Sequence, residues 1–135
     1  MKLGANRAQR QQEPATGARH VAGALDLAHL RHFTLGDKHL ETEILGLFIA
    51  QVPITIAALK QAKTDGDWYV AAHTLKGSAR AVGARRLALL AAQAERLVGV
   101  SDPSVCRMMV RMLEEAADEA KAFIDPLRRK AQSTT

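Results

Sequence analysis

The sequence is poor in aromatic residues, has a single cysteine and shows no strand-like alternation of apolar and polar positions. Aromatic residues make up 4% of the 135 residues, so a core must be built mainly from Ala, Leu, Val and Ile. One cysteine, Cys106, excludes an internal disulfide, and we expect it to be a small, partly buried helix residue. These absences point to one all-α domain.

Other absences limit the function. No apolar run reaches the roughly 20 residues of a membrane span, and the N-terminus lacks the apolar region of a signal peptide, so we predict a cytoplasmic protein without a membrane segment. There is no GxxxxGK[ST] loop or glycine-rich nucleotide segment, so the chain is not expected to take phosphate from ATP by itself. No His, Cys, Asp and Glu set has metal-site spacing, and we predict no metal ligands.

The formal charge of +5 lies in the two ends of the chain. Residues 1–20 hold four basic residues against one glutamate, and residues 127–135 hold three basic residues and no acidic one. The part between them is nearly neutral, which argues against a nucleic-acid partner. We predict a disordered basic tail over residues 1–20, one domain over 21–127 and a basic C-terminal tail over 128–135.

Apolar residues recur at steps of three and four, which predicts a short helix followed by four long ones. Asp26 is placed to cap the short helix, and the second helix runs from Asp37 to near Lys63, with Pro53 kinking or locally breaking it. The remaining helices are expected at about 68–82, 85–98 and from 102 to Pro126. The inward side of the second helix is predicted to hold Leu40, Ile44, Leu47, Phe48, Val52, Ile56 and Leu59. Short links favour an up-down-up-down antiparallel four-helix bundle with the short helix capping one end.

One stripe of the third predicted helix, near its middle, carries the most chemistry. His73, Lys76, Gly77 and Arg80 stand at i, i+3, i+4 and i+7, so they share a face, while Leu75, Ala79 and Val82 lie on an apolar one. A neutral imidazole offers a ring nitrogen that can attack a phosphoryl group and later release it. Taken singly, these residues fit a solvated histidine, a surface lysine and a helix-packing glycine equally well.

The neighbours of His73 suit a phosphoryl group. Lys76 can reach phosphoryl oxygens as a mobile charge. Gly77 lies inside a helix, where glycine costs about 1 kcal/mol relative to alanine, and clearance for a phosphoryl group or partner would explain it. No Asp or Glu lies on the stripe to activate water, which favours transfer over hydrolysis. Arg80, Arg85 and Arg86 make the surrounding surface positive and are candidate contacts to an acidic partner.

The run His73-Thr74-Leu75-Lys76-Gly77-Ser78-Ala79, followed by Val82-Gly83-Ala84 and Leu87, resembles the signature of histidine-containing phosphotransfer (HPt) domains. Leu35-Gly36-Asp37 with Ile44-Leu45 and Leu47-Phe48 resembles the opening of that family's second helix. Asp65-Gly66-Asp67-Trp68 resembles the lead-in to its active helix, and Glu95 lies near a glutamate often found in the next helix. The resemblance covers about residues 26–125.

This resemblance implies a phosphorelay intermediate, a histidine phosphotransferase that carries phosphate without ATP-binding or kinase activity. His73 would be the phosphoacceptor, Lys76 would contact the phosphoryl group and Gly77 would leave room for it. The implied partners are response-regulator receiver domains and a hybrid histidine kinase. The receiver, not this chain, would bind the Mg²⁺ that the exchange needs. We expect a monomer.

Two alternatives stay open. The chain could be the phosphoacceptor domain of a chemotaxis-type histidine kinase, or a helical adaptor that keeps the motif without being phosphorylated. A kinase dimerisation helix fits less well, because an acidic residue usually follows its histidine directly and a proline follows soon after, whereas here Thr74 follows and no proline is near.

Overall fold

The computed structural model describes residues 24–97 and 102–133, and this part of the chain contains helices and no strand. The predicted all-α class is therefore confirmed. The predicted tail over residues 1–20 lies outside the described residues. The helices are α1 (Leu27–Thr34), α2 (Lys38–Gln61), α3 (Asp65–Val82), α4 (Arg85–Arg96) and α5 (Pro103–Ser133).

The four longer helices enclose one core. α3 packs against α2 and α4, α5 also packs against α2 and α4, and α1 lies on α2 and α3. The core is aliphatic apart from one phenylalanine and one tryptophan, as the composition predicts. Its largest fully buried side chains are Trp68, Leu25, Leu30, Leu45, Leu59, Leu75, Leu87, Leu113 and Ile124. The molecule is a helical bundle, and the up-down-up-down order of its helices stays a prediction.

Side-chain caps start the first three helices. Asp26 accepts a hydrogen bond from the backbone N–H of His29 at 3.1 Å, and Asp37 caps α2 in the same way. α3 begins three residues before the predicted start at Trp68, because Thr64 accepts from the backbone N–H of Asp67 at 3.0 Å. The predicted break at 65–67 is thus the first turn of α3, where acidic side chains suit the positive end of the helix dipole.

Gly83 ends α3, as predicted, in a left-handed conformation with φ of +81°. Its backbone N–H bonds to the carbonyls of Ala79 and Arg80, and its own carbonyl accepts from Asp26 N–H at 2.7 Å. A Cβ at this position would lie 2.6 Å from the Asp26 carbonyl oxygen. Both the backbone angle and the close approach of α1 therefore require glycine here.

The first half of α2 buries a different side from the predicted one, whereas the second half buries Phe48, Val52, Ile56 and Leu59 as predicted. Leu47, predicted inward, is 67% exposed, Leu40 is also exposed, and Leu45 is buried in their place. The buried face also includes Glu41, whose carboxylate receives the Arg31 Nε–H at 2.9 Å. The prediction was wrong because apolar residues occupy both sides of α2, so hydropathy alone does not fix which side faces α3 and α5.

The apolar composition of α2 also corrects the prediction that no segment is long and apolar enough to span a membrane. α2 is one helix in the described part of the chain that is long and apolar enough to cross a membrane, with a mean hydropathy of 1.7. A core helix of a folded bundle passes the same test, so this is weak support for a membrane span. α2 continues through Pro53 as one helix.

Two helix ends differ from prediction. α5 continues through Pro126 to Ser133, so the helix takes up most of the predicted C-terminal tail. Beyond the proline, Leu127 packs against the core and the Arg128 guanidinium lies over Gly46 of α2. α4 ends at Arg96 instead of near 98, with Leu97 extended.

A hydrogen bond inside the core sets the register of α3 against α4. Trp68 is buried near the start of α3, and its indole Nε1–H donates to the carbonyl oxygen of Ala94 near the end of α4, at 2.7 Å. A buried indole N–H needs such a partner. The residue that follows Ala94 is Glu95, so this bond fixes where the Glu95 side chain meets α3.

Candidate functional site

His73 stands at the middle of α3 with its side chain 58% exposed. Leu75, Ala79 and Val82, on the opposite stripe, are buried, as predicted. Gly77 is exposed one turn beyond His73, and a Cβ built there would meet nothing within 4 Å. The protein's own packing therefore does not require this glycine, and the space beside the imidazole is open.

Glu95 of α4 joins His73 to Lys76. His73 Nδ1 lies 2.5 Å from Glu95 Oε2, and Lys76 Nζ donates to Glu95 Oε1 at 2.7 Å. An ionised carboxylate can only accept, so the Nδ1 of a neutral His73 must carry the proton. The lone pair of that neutral ring is then on Nε2. Glu95 thus holds one ring nitrogen of His73, and the other ring nitrogen carries the lone pair.

The two contacts also set the charge of Glu95. Its pKa lies below the ordinary value for a glutamate, first because Lys76 donates a hydrogen bond to the carboxylate and second because His73 does. Glu95 is therefore ionised at neutral pH, with one oxygen engaged by each partner. The sequence prediction that no carboxylate lies beside His73 holds only within α3, because α4 supplies one.

Tyr69 is the second site residue that sequence reasoning missed. Its ring stacks on the His73 imidazole, with centroids 5.6 Å apart and an interplanar angle of 16°. Tyr69 precedes His73 by four residues, a spacing that places side chains together on one face of a helix. That spacing was the available signal. For Glu95 the family resemblance was the only signal, because its approach to His73 depends on the packing of α3 against α4.

The predicted cations have different surroundings. Lys76 is mostly buried against Glu95, with 15% of its side chain exposed. Arg80 is exposed on α3, and its side chain makes no hydrogen bond or ion pair within the described residues. Arg85 pairs with Asp26 at 3.1 Å and Arg86 with Glu119 of α5 at 2.8 Å. The structure therefore brings Lys76 to His73 through Glu95 but gives the α4 arginines separate partners.

A groove of about 460 Å³ lies between α1, α3 and α4 beside this stripe. Arg80 and Arg85 line it together with Leu89, which is 61% exposed. The groove combines positive charge with an accessible apolar side chain, a combination typical of a surface that meets another protein.

The described residues also bear on whether the chain could hold a metal ion. Residues 24–97 and 102–133 contain no group of three or more His, Cys, Asp and Glu side chains that could hold a metal ion. Glu95, the carboxylate nearest to His73, already accepts from two side chains.

Comparison with known proteins identifies a family for this chain. The family model for the Hpt domain matches residues 43–123, more than half of the chain. The chain belongs to the Hpt domain family. The match runs from α2 into α5 and contains His73, Lys76, Gly77 and Glu95. No curated protein and no solved structure gave a match.

Membership in the Hpt family supports a role in histidine phosphotransfer within phosphorelays. Hpt domains interact with receiver domains and histidine kinases of two-component systems. This confirms the resemblance on which the sequence analysis relied.

Proposed function

We propose that this Hpt domain accepts a phosphoryl group on Nε2 of His73 from the aspartate of one receiver domain and passes it to another. The observation that carries the proposal is the contact between Glu95 and Nδ1 of His73, because it leaves the Nε2 lone pair free on an exposed ring. The open space at Gly77 lies on the same side of α3 and gives room for the phosphoryl group.

The transfer is a single displacement at phosphorus. The Nε2 lone pair of His73 forms the N–P bond while the P–O bond to the receiver's aspartate breaks, and the electron pair of that bond returns to the carboxylate oxygen. The ring gains positive character, which the ionised Glu95 at Nδ1 stabilises. The reverse step returns the group to a second receiver and restores the neutral ring.

Lys76 and Glu95 together favour transfer over hydrolysis. Lys76 supplies a positive charge beside the site for the phosphoryl oxygens. Both Glu95 oxygens accept hydrogen bonds, one from Lys76 and one from His73, and the resulting lowered pKa makes the carboxylate a weaker base toward water. The phosphohistidine would therefore persist until a receiver arrives.

The partner would complete the site. The groove with Arg80, Arg85 and Leu89 offers positive and apolar contacts to an acidic receiver face, and the receiver would supply the Mg²⁺. Arg86 is a weaker candidate contact, since it pairs with Glu119. A hybrid histidine kinase would be the source of phosphate, and a cytoplasmic monomer with helices alternating up and down suits this role.

The test is incubation of the chain with a receiver domain carrying labelled phosphate. We expect acid-labile, base-stable label on the wild-type chain and none on His73→Gln. His39→Gln is the matched control, because it removes an exposed histidine at the start of α2 and should be labelled like wild type. Equal labelling of His73→Gln and wild type, or no labelling by any receiver of the organism, would refute the proposal.

A further inference from the structure

We propose that Tyr69 is a positioning residue that holds the imidazole plane of His73 for in-line attack. The inference rests on the proposed function, since it concerns how the same ring meets phosphorus. It starts from the near-parallel stacking of the two rings, 5.6 Å apart at the centroids. Offset stacking at this separation is an attractive arrangement for aromatic rings.

The stacking supplies a restraint that Glu95 cannot. A hydrogen bond from Nδ1 has a broad angular tolerance, so by itself it allows the imidazole to rotate about its Cβ–Cγ bond. The Tyr69 ring lies against one face of the imidazole and opposes that rotation. The Nε2 lone pair lies in the ring plane, so an orientation fixed in this way keeps it directed at the phosphorus.

The exposure of the two rings leaves them without a restraint from the core. The His73 side chain is 58% exposed and Tyr69 is 49% exposed, so core packing does not hold either ring. Tyr69 stacks against the imidazole, and more than half of the His73 side chain stays exposed to a partner. The electron-rich face of a phenol ring also favours the positive charge that the imidazole acquires as the N–P bond forms.

Three substitutions of Tyr69 distinguish the contribution of its aromatic ring from those of its hydroxyl group and its apolar bulk. Tyr69→Phe keeps the ring, Tyr69→Leu keeps apolar bulk without a ring, and Tyr69→Ala removes both. Leucine and alanine are good helix formers, so α3 is expected to persist, and circular dichroism checks this. Met108→Ala, which truncates an exposed apolar side chain on α5, is the control for surface truncation.

Each variant is phosphorylated with two donors, a phosphorylated receiver domain and the small phosphodonor phosphoramidate. We expect Tyr69→Leu and Tyr69→Ala to react about three- to tenfold more slowly than wild type with both donors, and Tyr69→Phe and Met108→Ala to match wild type. Without the stacked ring, the imidazole should rotate away from Glu95 part of the time, so long-range ¹H–¹⁵N correlation spectra of His73 should show less of the Nδ1–H tautomer in the leucine and alanine variants.

The outcomes are distinguishable. Wild-type rates for Tyr69→Ala with both donors would overturn the proposal. Slowing with the receiver alone would overturn it too, since it would make Tyr69 a docking contact, and slowing of Tyr69→Phe to the level of Tyr69→Ala would assign the effect to the hydroxyl. Failure of wild type to react with either donor would instead refute the proposed function, and the tautomer spectra would still test the stacking.

Discussion

The two glycines near the end of α3 occupy opposite kinds of site. A Cβ on Gly83 would lie 2.6 Å from a backbone oxygen of α1, and the residue has a positive φ. A Cβ on Gly77 would meet nothing within 4 Å, and Gly77 has an ordinary helical position. The fold explains the first glycine completely and the second not at all.

The difference teaches how to tell a structural glycine from a functional one. Glycine at Gly77 costs about 1 kcal/mol of helix stability relative to alanine, and no contact in the described chain offsets that cost. We therefore attribute this glycine to the proposed transfer at His73, which lies one turn away, and not to packing within the fold. The sequence alone does not distinguish the two, because both are glycines in the run that follows His73.

The largest expected effect is that of Gly77→Leu on phosphotransfer. A leucine side chain would fill the open space beside His73, and we expect the rate of transfer from a receiver to fall about 100-fold through misplacement of the phosphoryl group. The free energy of unfolding, measured with urea, should not fall, because leucine forms helix better than glycine. Gly77→Ala is the matched control, with a smaller loss of transfer. An unchanged rate for Gly77→Leu would make the clearance irrelevant.

Gly83→Ala should show the opposite pattern. We expect the free energy of unfolding to fall by about 2–3 kcal/mol, since alanine is strained at positive φ and its Cβ would displace α1. Urea unfolding measures this loss, and transfer at a temperature where the variant is folded should stay within about threefold of wild type. A variant as stable as wild type would show that α1 moves away without cost.

The smallest expected effect is a pH dependence of the free energy of unfolding, which arises from the Lys76–Glu95 pair near Gly77 and has no counterpart at Gly83. The folded-state pKa of Glu95 is lowered, mainly by Lys76, so this pair stabilises the fold above the ordinary glutamate pKa and loses that contribution as the pH falls through the lowered value. Lys76→Met should therefore be less stable than wild type at pH 7, and the difference should shrink below about pH 4.5. Urea unfolding at several pH values measures it.

Gly83→Ala serves as the reference for that measurement, because its strain involves no titrating group. Its stability deficit should stay nearly constant over the same pH range. A Lys76→Met deficit that does not change with pH would mean that the contact with Glu95 contributes nothing in solution.

Local rules accounted for most of the helices and for the position of His73. Asp26 and Asp37 act as caps, Gly83 ends α3, and Leu75 is buried behind His73, all as their spacing predicts. These features depend on residues within one or two turns of each other. Local periodicity therefore contains the information that fixes them.

The errors came from contacts between helices. Leu47 and Leu45 are equally apolar, and only the neighbours of α2 decide which one is buried. α5 continues past Pro126, and Arg128 beyond it packs over Gly46, a residue 82 positions earlier in the chain. Glu95 reaches His73 across 22 residues, so its contact with the imidazole follows from the register of two helices and lies outside the motif around His73.

The hydrogen bond between Trp68 and Ala94 makes the reactive geometry dependent on the core. In an α-helix each residue turns the side-chain direction by about 100°, so a slip of α4 by a single position would swing Glu95 away from His73. In the proposed mechanism, the single tryptophan thus helps to hold Glu95 against His73 from inside the core. We expect opening of the last turn of α4 to separate Glu95 from His73 and to slow the proposed transfer while the rest of the bundle stays folded.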